Sequence, residues 1–290
     1  EIYRITSRRD RANGRANWSS VSICLSPRIQ ACRTFPHNQL RGPGPASVVK
    51  RMPADDMGLA IISGGSSGIG KACADRLLER GYHVALLARD PERLEQARVE
   101  LSAKWPRAGI SCHSVDVADW EACRSVVSAL IQDHGAPAWL IASAGTARPG
   151  LFLEQPAEEH ARHIQVNFLG TVHLVRAAAP AMAEAGDGRI VLIASGAAFL
   201  GIYGYSAYAP SKFAVRGLAE ILRLELAEHG ISVTLACPPD TDTPQLAEEE
   251  LTKPAVTRRI SSAGGVWSAA DVASAIIAAA GRRRFWVGPG

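Results

Sequence analysis

From Met57 onward the chain alternates short apolar runs with longer stretches in which apolar residues recur every three or four positions. The short runs cover 58–63, 83–88, 109–115, 138–142, 188–194 and 231–237, and their length and β-branched content predict strands. The longer stretches at 68–80, 91–104, 118–134, 157–184 and 206–229 predict helices, each exceeding the roughly ten to twelve residues that a parallel crossover requires. A last helix is expected near 269–281, followed by a seventh strand at Phe285-Trp286-Val287. Strand and helix in strict alternation predict an α/β fold, a Rossmann-type doubly wound parallel sheet in a single domain over 57–290.

Residues 1–51 show neither period, and Arg41-Gly42-Pro43-Gly44-Pro45-Ala46-Ser47 reads as a linker. The segment through residue 56 is expected to be disordered. Its Arg- and Ser-rich, acid-poor composition matches an organelle transit peptide, yet it has no amphipathic helix and no initial Met. An upstream extension foreign to the native protein, with starts at Met52 or Met57, fits better.

Composition narrows the function. The chain has 290 residues, 47% of them apolar, and a formal charge of +4. Mean hydropathy is close to zero, as expected of a soluble globule. Ten Lys and Arg residues lie within 1–51 against Glu1 and Asp10 alone, so the remaining residues sum to a net negative charge. A basic nucleic-acid footprint on the folded domain is therefore not expected. The absence of an apolar run of about 18 residues argues against a spanning helix and leaves room for peripheral membrane contact. The six cysteines, Cys24, Cys32, Cys73, Cys112, Cys123 and Cys237, have no CxxC or metal-ligand spacing. Free thiols in a reducing, cytoplasmic compartment are expected, with no metal.

Directly after the first strand comes Gly64-Gly65-Ser66-Ser67-Gly68-Ile69-Gly70, running into a helical pattern. Glycines allow a sharp turn and close approach of a pyrophosphate, and a helix N-terminus offers free N–H groups. The second strand ends at Ala88-Arg89-Asp90, where an acid would favour NADH. Arg89, assisted by Lys71 or Ser66, would instead pair with a 2′-phosphate and favour NADPH; Asp90 reads as the cap of the helix opening at Pro91. Asp116 and Val117 after the third strand, and Ala144 and Gly145 after the fourth, fit the adenine and ribose walls of the same crevice. Asp116 fits a helix cap equally well.

Ser195 to Lys212 carries the chemistry. Tyr208 and Lys212 are four apart and share a helix face. An adjacent ammonium is expected to lower the Tyr208 pKa from about 10 toward a working general acid or base, with Ser195 binding the substrate oxygen. Tyr203 and Tyr205 read as pocket wall or core.

On these motifs the chain resembles the short-chain dehydrogenase/reductase family over Met57 to Val287. The resemblance implies a catalytic set of Asn167, Ser195, Tyr208 and Lys212, with Asn167 orienting a water in a proton relay. It also implies a nicotinamide site completed by Pro238, Thr241 and Thr243, and pairing of subunits through the helices at 157–184 and 206–229. Three departures stand out: Ser63 replaces the usual Thr, Ala142-Ser143-Ala144-Gly145 replaces Asn-Asn-Ala-Gly, and Pro239 replaces a Gly. Segments 143–150, 201–217, 238–244 and 252–254 are similar to one branch of the family, the 3-ketosphinganine reductases of sphingolipid synthesis. That branch implies NADPH-dependent reduction of a lipid-like ketone, for which Pro244–Trp267 and the Tyr203/Tyr205 region are candidate apolar grooves. The alternatives are a reductase of other ketones, steroids or acyl carbonyls, and a non-catalytic NADP-sensing protein.

Overall fold

The computed structural model describes residues 58–262 and 265–288. The expectations for the segment 1–56, and for Cys24 and Cys32 within it, lie outside the described residues. The first strand, β1 (Leu59–Ser63), is buried along its whole length. Its side chains alternate between two cores: Leu59 and Ile61 enter one, Ala60 and Ile62 the other. A strand apolar on both faces must be covered on both, which is what helical crossovers provide.

The crossovers are built as the hydrophobic periods predict. The elements that follow are α1 (Gly68–Leu78), β2 (His83–Ala88), α2 (Pro91–Lys104), β3 (Ile110–Ser114), α3 (Trp120–His134) and β4 (Trp139–Ala142). The second half contains α4 (Ala157–His163), α5 (Gly170–Ala185), β5 (Gly188–Ile193), α6 (Tyr208–Glu225) and β6 (Ile231–Ala236). The main sheet is closed by α9 (Ala269–Gly281) and β9 (Trp286–Val287). Strand order is β3-β2-β1-β4-β5-β6-β9, every pairing parallel. Cys73, Leu77, Leu94 and Ile276, from α1, α2 and α9, fill one core, and Val127, Leu174 and Val215, from α3, α5 and α6, fill the other. Each such side chain contributes about 1.5–3 kcal/mol relative to leaving it in water. The order reverses between β1 and β4, which opens a crevice beyond the C-terminal strand ends.

Helix starts follow the expected chemistry. Asp90 caps α2, accepting from the Glu92 and Arg93 amides, with Pro91 at the first helical position. Asp116 accepts from the Ala118 amide at 2.9 Å and turns the chain toward α3, which Asp119 caps through Ala122.

Two predicted helices are modified. The stretch 157–184 is broken by a π-helical turn over Ile164–Leu169, at the point where Asn167 ties the helix to its neighbours. The stretch 206–229 begins at Tyr208, and after Glu225 a 3₁₀ turn, Ala227–His229, leads to left-handed Gly230. Sequence periodicity missed α7 (Pro244–Thr252) and α8 (Ala255–Ser262), and a parallel pair of β7 (Thr241–Asp242) with β8 (Trp267–Ser268). Among the described residues no helix is long and apolar enough to cross a membrane. Cys73, Cys112, Cys123 and Cys237 are free thiols; burial pushes Cys73 up to about 12 and Cys123 and Cys237 to about 11, which makes them poor nucleophiles.

Candidate active site

At the topological switch point lies a cleft of about 660 Å³. Its floor is the turn between β1 and α1. Gly64 has φ +67, and a Cβ there would meet the Ser143 and Ala144 backbone at 2.9 Å. A Cβ on Gly70 would lie 2.3 Å from the Gly64 carbonyl oxygen. Gly68 is left-handed, and a Cβ there would approach Thr243 Cγ2 at 3.0 Å. Ser67 occupies the N-cap of α1 without a side-chain cap bond, so the first-turn amides remain available to an anion. Ser66, Ser67, Ile69 and the three glycines all line the cleft. This arrangement fits the pyrophosphate of a dinucleotide.

The loop after β4 forms the adjoining wall, and its hydrogen bonds come from unexpected directions. Ser63 Oγ accepts from the amides of Ser143 and Ala144, both at 3.1 Å. Asn167 Oδ1 accepts from the Thr146 amide at 2.8 Å, and its Nδ2 donates to the Thr146 carbonyl at 3.0 Å. The Ala142-Ser143-Ala144-Gly145 departure is thus accommodated by Ser63 and Asn167 reaching in from neighbouring elements. Ala144, Gly145, Asp116 and Val117 line the cleft as expected.

At the end of β2, Arg89 and Arg93 both line the cleft, and Arg89 is exposed. Lys71 is not part of the cleft wall and is paired with Glu100 across α1 and α2. Sequence reading missed Arg93, although its position one helical turn after Arg89 was the available signal.

The chemical end is carried by β5 and α6. Ser195 follows β5, and its Oγ accepts from the Ala197 amide at 3.2 Å. Tyr208 opens α6, and Lys212 lies one turn further on, its Nζ 5.5 Å from the centre of the Tyr208 ring. Lys212 Nζ donates to the Ile193 carbonyl at 3.0 Å. All three line the cleft, as do Pro238, Thr241 and Thr243. Thr243 also caps α7 through the Leu246 amide.

Asn167 behaves differently. It is buried and absent from the cleft wall, with both ends of its amide engaged: besides Thr146, its Nδ2 donates to Ser211 Oγ at 2.9 Å. Ser211 in turn donates to the Tyr208 carbonyl at 2.6 Å. Asn167 therefore positions the start of α6.

The electrostatics also differ from expectation. Burial is the largest influence on Tyr208 and pushes its phenol up, Glu249 adds to the rise, and the Ser195 hydrogen bond opposes it. Burial lowers Lys212 to about 8, with Cys237 and Glu249 opposing. Burial of the phenol thus acts against the lowering that the four-residue spacing predicts. The phenol keeps its proton at neutral pH.

The other wall lies in the Pro244–Trp267 stretch, whose helical form was not foreseen. Helix α7 contributes Gln245, Glu248 and Glu249 to the cleft. Its Thr243-Pro244 start was a readable helix signal. A second, largely apolar pocket of about 570 Å³ opens beside the first, lined in part by Leu151, Phe152, Tyr203, Ala209 and Phe213. Ile202 and Tyr205 line both. The candidate groove thus lies on the Tyr203/Tyr205 side, while the start of the alternative stretch, from Pro244 to Glu249, faces the polar cleft.

Comparison with known proteins agrees with this geometry. The 3-dehydrosphinganine reductase of Danio rerio is 42% identical over 220 residues, covering 75% of this chain and 66% of the relative. The chain thus spans about two thirds of the length of curated relatives such as this one. A short chain dehydrogenase/reductase from Burkholderia phymatum, solved in complex with NAD, superposes with a TM-score of 0.73 at 27% identity, covering 82% of this chain and 90% of that one. A short-chain dehydrogenase from Sphingobium yanoikuyae, solved with NADPH, gives 0.71 at 28% identity, covering 80% and 88%. The short chain dehydrogenase family model matches residues 58–254, and the chain belongs to that family.

Proposed function

We propose that this chain reduces a long-chain 3-keto amino alcohol of the 3-ketosphinganine type to its secondary alcohol, using NADPH. The observation that carries the lipid assignment is the apolar pocket beside the cleft that holds Tyr208 and Ser195, with Ile202 and Tyr205 lining both. A polar reaction centre flanked by an apolar pocket suits a ketone bearing an alkyl tail. The name of the Danio rerio relative points to the same substrate.

NADPH, when bound, supplies the hydride to the carbonyl carbon. The Tyr208 hydroxyl, kept protonated by burial, gives its proton to the carbonyl oxygen as charge develops there. Ser195 donates a hydrogen bond to the same oxygen. Lys212 holds positive charge beside the phenolate left behind, and its bond to the Ile193 carbonyl fixes its head. Asn167, through Ser211, sets the backbone from which Tyr208 projects.

Arg89 and Arg93 support the choice of NADPH, since guanidinium groups pair with a 2′-phosphate. Arg89→Ala is expected to raise KM for NADPH roughly tenfold to a hundredfold, the scale of a lost charge-assisted hydrogen bond, with little change for NADH. Steady-state kinetics with both cofactors checks this; equal effects on the two would remove Arg89 from the phosphate site.

A series of 3-keto amino alcohols of increasing chain length tests the lipid assignment. Catalytic efficiency should climb with each added methylene until the apolar pocket is filled, at roughly 0.8 kcal/mol each, or about fourfold per methylene. A flat series would assign the protein to short ketones.

A further inference from the structure

We infer that Glu249 is the specificity-determining carboxylate that binds the ammonium group beside the substrate carbonyl. The inference rests on the amino-ketone reading above and deepens it. Glu249 lies on α7, only 8% exposed, yet it forms part of the cleft wall. Its Oε2 accepts from the Tyr205 hydroxyl at 2.9 Å and its Oε1 from Gln245 Nε2 at 3.0 Å. The Tyr205 ring packs edge-on against that of Tyr208, centroids 5.7 Å apart. The carboxylate is thus one side chain away from the ring of the proton donor.

Neighbouring acids are already committed. Asp240 faces Lys253 Nζ at 3.6 Å, Glu250 pairs with the same lysine, and Glu248 is exposed. Among the described residues no Lys or Arg lies within salt-bridge distance of Glu249, and its two hydrogen-bond donors are neutral; Lys253 and Lys212 act on it from further away. A buried carboxylate is costly unless a cation accompanies it. Burial accordingly raises its pKa, with the bonds from Gln245 and Tyr205 and the charge of Lys253 opposing. Each carboxylate oxygen accepts more than one hydrogen bond, so an ammonium can bind without displacing Tyr205 or Gln245. A cationic substrate group supplies the direct ion pair that those lysines do not make.

The test compares 3-ketosphinganine with the ketone of the same chain length that lacks the amine, using the purified full chain, Glu249→Gln and, as a control, Glu250→Gln. The wild-type chain should favour the amine by roughly tenfold to a hundredfold in kcat/KM, the scale of a hydrogen bond to a charged group. Glu249→Gln should abolish that preference, mainly by raising KM for the amine, and Glu250→Gln should preserve it. NADPH binding, followed by fluorescence, establishes that each variant is folded; if Glu249→Gln does not bind NADPH, Glu249→Asp takes its place and should keep a reduced preference. Wild-type turnover of both ketones with equal efficiency, or a preference that survives in a folded Glu249→Gln, would overturn the inference and leave the reductase reading intact. Failure of the wild type on both long ketones, with turnover of a short one, would overturn both.

Discussion

Tyr208→Phe is expected to lower kcat for carbonyl reduction by about 10²–10⁴-fold, the usual contribution of a positioned general acid, while NADPH still binds. The expectation follows from which atom is removed. The ring is buried, packed edge-on against Tyr205 and His163, and phenylalanine preserves that shape. Only the hydroxyl that delivers the proton is lost. Burial raises the phenol, so at neutral pH the wild-type residue is in the acid form that reduction requires, and no base need first be protonated. Turnover of a long-chain ketone, measured beside NADPH fluorescence titration and thermal melting, separates this from misfolding. A variant that retains a tenth or more of wild-type kcat would remove Tyr208 from proton transfer.

Gly70→Ala should damage both the fold and cofactor binding. Its Cβ would fall 2.3 Å from the Gly64 carbonyl oxygen and 2.7 Å from the carbonyl carbon, both backbone atoms with no rotamer to yield. Gly64 is itself hemmed in by the Ser143–Ala144 backbone, so the strain would pass to the loop after β4. Overpacking of this kind costs about 1–3 kcal/mol, or a Tm drop of roughly 2–12 °C. Displacing the amides that would face the pyrophosphate should weaken NADPH binding roughly tenfold to a hundredfold, the scale of hydrogen bonds lost to a charged group. Gly217→Ala, on α6 with open space around the new carbon, is the control and should be neutral or slightly stabilising. Comparable melting temperatures and NADPH affinities for the two variants would contradict the cradle assigned to Gly64–Gly70.

Much of this was legible in the sequence because the relevant residues sit at element junctions. The Gly64–Gly70 turn, the Asp90-Pro91 cap and the Tyr208–Lys212 helical pair are local signals whose spacing fixes their geometry. Ser195 was readable as the residue following a strand. What sequence could not supply was long-range. Asn167 is bonded to Thr146 and Ser211, 21 and 44 positions away, which makes it a brace for the start of α6 as well. Glu100, which pairs with Lys71, is brought to it by α2. Spacing placed a charge beside Tyr208, and the packed site adds burial, which acts the other way.

The α7 wall escaped notice for a different reason. Its nine residues are short and acidic, and Glu248, Glu249 and Glu250 look alike in a run. Only the fold distinguishes the one that turns inward. The apolar pocket could be narrowed to two regions, and the Tyr203/Tyr205 side holds it because the loop before α6 packs beside Leu151 and Phe152, with Gly150 and Tyr205 joined by a bridge.

The central claim is tested most directly by incubating the purified full chain with NADPH and 3-ketosphinganine in detergent, following cofactor oxidation and identifying the product. One NADPH should be consumed per sphinganine formed, with a much lower rate on a short ketone. Unaltered lipid alongside active reduction of the short ketone would contradict the lipid assignment, and cofactor binding without turnover of any carbonyl would contradict the reductase itself.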